Sequence, residues 1–229
     1  MTDLELPEEA FHGGWVGAMR RVAGHVSLPR MGDPLAMRQA AFERLRVHPE
    51  HHRLADQLVL CHVLGLTGTH TPARVQAAVS GARNELDLWL WGEVLRGNAD
   101  AGEILERVGP GGSLGESTAT SIEVLTETQL CALHAMLWLG AAHPTLAARA
   151  GSASSWLLEH LEPDNATRHP WAIQAFIARA AGGDAESGLY ASAMMHACCV
   201  ESGRPDRASA VILLDAAHWL ETSNERFSR

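Results

Sequence analysis

Two short spacings in this chain place metal-binding or nucleophilic side chains on common helix faces. Cys131-x-x-His134 and His196-x-x-Cys199 each separate thiol and imidazole by three residues, nearly one helical turn, so both side chains of a pair point the same way. If the two helices face each other, Cys131, His134, His196 and Cys199 offer the two thiolates and two imidazoles that tetrahedral zinc prefers. Cys61 and His62 are adjacent, about a hundred degrees apart on a helix, and would add one ligand.

The same residues have a plainer reading. Free cysteine packs as a small hydrophobe, and a lone histidine on an apolar helix is usually a core residue with a backbone or side-chain partner. Structural zinc sites bring their close ligand pairs through turns rather than from helix interiors. A cysteine-histidine dyad such as Cys199 with His134 needs an exposed thiolate of low pKa, which apolar surroundings oppose. Whichever reading holds, a buried His134 must find a hydrogen bond, because leaving it unpaired costs roughly 1–3 kcal/mol.

Other chemistry finds little footing. All 18 basic residues are arginine, and the lack of lysine removes Schiff-base chemistry, the lysine-bearing phosphate loop and the serine-lysine pair. Glu85-Leu86-Asp87 and Glu162-Pro163-Asp164 pair carboxylates, but alternate residues diverge on a helix and the second group falls in a turn. GSASS at 151–155 reads as a small-residue helix contact, and Pro49-Glu50-His51-His52 as a helix start. Trp89, Trp91 and Trp138 read as inter-helix packing. The glycines of His12-Gly-Gly-Trp15 either bend a helix or let another chain approach closely.

The elements that position these residues are helical. No segment alternates as a half-buried strand, and the single tyrosine and four phenylalanines agree with an all-α fold. Asp33-Pro34 starts a helix with Asp33 as its cap, Glu50 to Leu66 forms a second, and Thr71-Pro72 starts a long third, kinked near Gly81. Asp100 caps a short fourth. Thr126-Glu127-Thr128-Gln129 reads as a capping box opening the His134 helix. Further helices begin at Pro144, Pro170, Asp184 and Pro205, giving about nine in all.

Aligning His62, His134 and His196 shows a glycine six, six and seven residues later (Gly68, Gly140, Gly203) and a proline ten, ten and nine residues later (Pro72, Pro144, Pro205). A tryptophan follows each: Trp89, Trp156 and Trp219. The spacing predicts quasi-repeated three-helix units, with the glycines supplying left-handed residues at helix ends. In pattern these units resemble armadillo-type helical repeats or the hairpins of α/α toroids. The acidic motif and Gln-Trp repeats of squalene cyclases are absent.

The 229 residues, 46% hydrophobic and 20% charged, suit a single all-helical domain over 1–229. A flexible loop over 109–125 is expected between halves 1–108 and 126–229. The formal charge of -9 disfavours nucleic acid and anionic membranes as partners. An acidic N-terminus without an apolar leader, and the adjacent Cys198-Cys199, point to a cytoplasmic, reduced setting. The leading functional expectation is a non-catalytic scaffold that binds another protein, its acidic surface favouring basic partners. The alternatives are the zinc-binding module above, and a small-ligand pocket among Trp138, Met136 and Met195; no cofactor is expected unless zinc.

Overall fold

The computed structural model describes residues 13–51, 53–116, 121–163 and 168–227. Among them lie eleven α-helices, two short 3-10 turns and no strand, so the chain is all-α. The helices are α1 (Gly13–Val22), α2 (Leu35–Arg46), α3 (Leu54–Val63), α4 (Ala73–Gly81), α5 (Leu86–Arg96), α6 (Ala101–Val108), α7 (Ile122–Gly140), α8 (Pro144–His160), α9 (Ile173–Ala181), α10 (Ala185–Ala197) and α11 (Arg207–Phe227). His12 and Asp164, each part of a motif noted above, fall outside the described residues, as do residues 117–120 of the expected loop.

Helix α7 is the central rod, lying chiefly against α5 and α8. Every residue from Gln129 to Met136 is buried, as expected of a helix apolar on all sides. The other two histidine helices have different surroundings. On α10, His196 is exposed and Leu189 is 71% exposed, because this helix buries one side only, mainly against α9. On α3, the run Leu58 to Cys61 is buried and His62 half-buried. One contiguous apolar cluster joins residues from Met19 on α1 to Leu220 on α11. Helix α11 runs beside α1, α3 and α9, and Arg20 bonds Glu221 across the first of these contacts at 2.6 Å.

Local sequence signals set many of the helix ends. Asp100 accepts the Gly102 and Glu103 amides, and Asp184 accepts that of Ser187, each satisfying donors that a helix start leaves free. Pro144 occupies the first turn of α8. Three expected ends differ. Pro34 itself is the cap of α2, while Asp33 turns back to accept the Arg30 amide at 2.7 Å. The expected helix after Pro72 is two helices, broken over residues 82–85, so Trp89 belongs to a separate rod. Helix α7 starts four residues before the expected capping box, at Ile122, with Ser121 accepting the Val124 amide. Thr126 is inside the helix, where its hydroxyl donates to the Ile122 carbonyl at 2.8 Å.

Of the three repeat glycines, Gly68 and Gly203 take the expected left-handed conformation, at φ 57° and 71°, although α3 closes on a glycine outside that spacing. Helix α3 ends at Gly65, in the left-handed region at φ 61°, and the Leu66 amide then donates to the Cys61 carbonyl at 2.8 Å, a closure that favours glycine. Gly140 does not take a left-handed conformation. It lies where α7 and α8 meet, and a Cβ there would sit 2.8 Å from Ala147 Cα and 2.9 Å from its amide nitrogen.

The described first half of the 109–125 stretch is tied down. Arg149 of α8 donates to the carbonyls of Gly109 (2.8 Å), Gly112 (3.2 Å), Val108 (3.3 Å) and Ser113 (2.5 Å). Buried Gln129 makes a two-way bond with Leu114, donating to its carbonyl at 2.8 Å and accepting its amide at 2.7 Å. A guanidinium at the carbonyl end of α6 also suits the negative pole of that helix.

Candidate functional site

At the centre, three helices meet on one carboxylate. Asp215 of α11, 1% exposed, accepts hydrogen bonds from His62 Nδ1 of α3 at 2.8 Å, from His134 Nε2 of α7 at 2.9 Å and from Trp138 Nε1 at 2.6 Å. His134 and Trp138 are four residues apart and so share a helix face. Burial alone would raise the pKa of Asp215, but the His62 ring and the hydrogen bonds from both histidines hold it well below the usual carboxylate range. It is therefore ionised at neutral pH and acts only as an acceptor.

That fixes the state of His134. Its Nε2 carries the proton donated to Asp215, and its Nδ1 accepts the Ala172 amide at 3.2 Å, so the ring is neutral with both nitrogens committed. Ala172 supplies that amide from a left-handed conformation, φ 56°, unusual for a residue with a Cβ. Aromatic rings enclose the group. Trp138 lies 4.5 Å from His62, and Trp91 and Trp171 lie 5.5 and 5.6 Å from His134. His62 is oriented as a general base would be, with Nδ1 on a carboxylate and no partner for Nε2 among the described residues. His62, His134, Trp138 and Asp215, however, do not border the cavities described below.

The residues expected to bind zinc are not brought together. Among the described residues no three His, Cys, Asp or Glu side chains group as a metal ion requires. Helices α7 and α10 do not form a facing pair, His196 is exposed, and His134 has no lone pair left to give. The Cys131 thiol is raised well above its normal pKa by burial, with nearby Asp87 adding to the effect. Burial likewise raises Cys61, to about 12. Neither is a ready nucleophile.

A second polar system links α3, α7 and the entry to α11. Arg53 forms a fork with buried Asp56 (2.6 and 3.0 Å) and also donates to Glu127. Glu127 lies 3.0 Å from His169 Nδ1, whose Nε2 is 3.8 Å from Asp206. Arg53 and Glu127 help line a cavity of about 480 Å³ with Glu85, Asp87 and Trp171, and Arg53 also borders one of about 310 Å³ with His169, Cys198 and Asp206. Burial works to raise Glu127, but the bond to His169 and the charge of Arg53 bring it down to about 2, leaving it a weak base at neutral pH.

An apolar groove of about 550 Å³ lies between α7, α8, α9 and α11. Leu137, Gly140, Ala147, Gly151, Ala178 and Trp219 form most of its wall, and Arg179 stands at its polar edge. Trp219 is held by donating from Nε1 to the Leu137 carbonyl at 3.0 Å. Arg179 bonds Asp184 through Nε and Nη2, Ser187 through Nε and Ser155 through Nη1. Two of its five N–H groups have no acceptor among the described residues. Trp138, Met136 and Met195, expected to line a ligand pocket, do not border this groove: both methionines are fully buried, and the groove opens on Leu137 and Trp219.

Compared with protein-family models, curated proteins and solved structures, the chain matches none of them. No described helix is long and apolar enough to cross a membrane. Sequence reasoning passed over Asp215, Arg149 and Arg179. A signal existed for Asp215: one carboxylate inside the run VILLDAAHWL can be buried only if donors converge on it.

Proposed function

We propose that the protein is a non-catalytic binding module whose groove between α7, α8, α9 and α11 takes a small apolar molecule. The observation that carries this reading is the groove itself. Its volume of about 550 Å³ falls within the range of small-ligand sites, roughly 300–1,000 Å³. Its wall is mostly small apolar side chains beside one indole, with a single guanidinium to orient an acceptor on the ligand. A space of this size suits one small molecule better than the face of a partner helix. The interior polar groups support a non-catalytic role, since Asp215, His134, Arg53 and Glu127 are engaged with one another.

Gly151 provides the test, because nothing lies within 4 Å of a Cβ built there. Gly151→Leu should fill the groove without disturbing the fold. Binding of a medium-chain fatty acid and of the matching alcohol is measured by calorimetry and by quenching of tryptophan fluorescence. The expected result is saturable binding to the wild type that Gly151→Leu abolishes at unchanged melting temperature. Absence of binding by either compound, or binding that Gly151→Leu leaves intact, overturns the proposal.

A further inference from the structure

The end of α10 brings two thiols together. Cys198 is the capping residue of the helix, and its Sγ lies 3.9 Å from that of Cys199 while donating to the Met195 carbonyl at 3.2 Å. Both cysteines are free and buried, at 9% and 5% exposure. Cys198 nevertheless lines the cavity of about 310 Å³ that Arg53, Arg168, His169, Arg204 and Asp206 also border. A water-sized reagent entering that cavity meets Cys198, with the Cys199 sulfur 3.9 Å from that of Cys198, whereas Cys61 has no neighbouring thiol with which to react.

We propose that Cys198 and Cys199 form a vicinal dithiol that a hydroperoxide closes to a reversible disulfide, making the turn after α10 sensitive to redox state. The two sulfurs have different roles. Cys198 keeps its proton on the Met195 carbonyl and is raised further by its neighbour and by burial, while the contact with Cys198 lowers Cys199, so Cys199 ionises first and attacks. With hydrogen peroxide, the Cys199 thiolate takes one oxygen to become a sulfenic acid and releases hydroxide. The Cys198 sulfur then displaces that oxygen as water. Two thiols and one peroxide thus give one S–S bond and two waters, the peroxide accepting both electrons. Adjacent Cα atoms sit about 3.8 Å apart, closer than the roughly 4.4–6.8 Å of ordinary disulfides. The bond is therefore strained and returns readily to the dithiol with a reductant.

Peptide mapping of the native protein after limited hydrogen peroxide treatment tests this, with the thiols then alkylated under denaturing conditions. The expected result is loss of two hydrogens and of alkylation on the peptide holding Cys198 and Cys199, reversed by dithiothreitol, while Cys61 and Cys131 stay alkylatable. Cys198→Ser should stop at a Cys199 sulfenic acid that dimedone traps. The proposal is overturned if Cys198 and Cys199 oxidise no faster than Cys61 and Cys131, if the product is an intermolecular disulfide, or if dimedone labels nothing in the variant.

Discussion

His134 and Asp215, 81 residues apart in the chain, meet at 2.9 Å with both side chains almost wholly shielded from water. Because the carboxylate only accepts and the other ring nitrogen takes the Ala172 amide, the proton position on His134 follows from geometry alone. Nitrogen-15 NMR of the imidazoles should show His134 as the Nε2–H tautomer. An Nδ1–H signal would contradict the arrangement.

Asp215→Asn keeps the shape but turns an amide N–H toward groups that are themselves donors. Breaking a buried, charge-assisted cluster from one side typically costs about 3–5 kcal/mol. Urea unfolding should show a lower midpoint of that order with an unchanged slope.

Glu127 sets an acid limit. Its folded pKa of about 2 is below the unfolded value of roughly 4.3, so the ionised form stabilises the fold above that value. This contribution is lost as pH falls toward 2. Wild type should therefore lose stability across that window, and Glu127→Gln, less stable at neutral pH, should show a shallower decline. Asp215 is held lower still, so its contribution disappears at more acidic pH. Equal slopes for the two proteins would count against the Arg53–Glu127–His169 linkage.

Gly140→Ala and Gly151→Ala make a matched pair on adjoining helices. At Gly140 the new Cβ meets backbone atoms of Ala147, which cannot rotate away, so α7 and α8 must separate; overpacking of this kind costs roughly 1–3 kcal/mol. At Gly151 there is open space, and replacing a helical glycine gains up to about 1 kcal/mol. Melting temperatures should move in opposite directions.

Arg149→Lys keeps the charge but not the planar fork that reaches four carbonyls. Hydrogen bonds to charged groups contribute about 1.5–3 kcal/mol each, and the loss here should be on the order of 3 kcal/mol. Limited proteolysis should cut within residues 109–116 faster in the variant than in the wild type.

The parts of the fold legible in the sequence were those decided locally. The caps at Asp100 and Asp184 and the start at Pro144 depend on a few neighbouring residues, and the burial of α7 follows from its own apolar run. Long-range pairings left little trace. The Asp215 triad spans 153 residues from His62 to the carboxylate, and no local spacing records it. Arg149 and Gln129 bind main-chain carbonyls and amides, which any sequence presents. The apparent capping box at Thr126 misled because Ser121, just upstream, supplied an equivalent hydroxyl and allowed an earlier start. Gly140 was noticed for the right position and the wrong reason: its need is contact with a neighbouring helix.

The acceptor shared by His62, His134 and Trp138 is on α11, which a ribosome delivers after the ten described helices that precede it. Until α11 arrives, the interior of the nascent chain holds two imidazoles and an indole with nowhere to place their protons. A polypeptide stopped before Asp215 is therefore expected to stay loosely collapsed and dependent on chaperones.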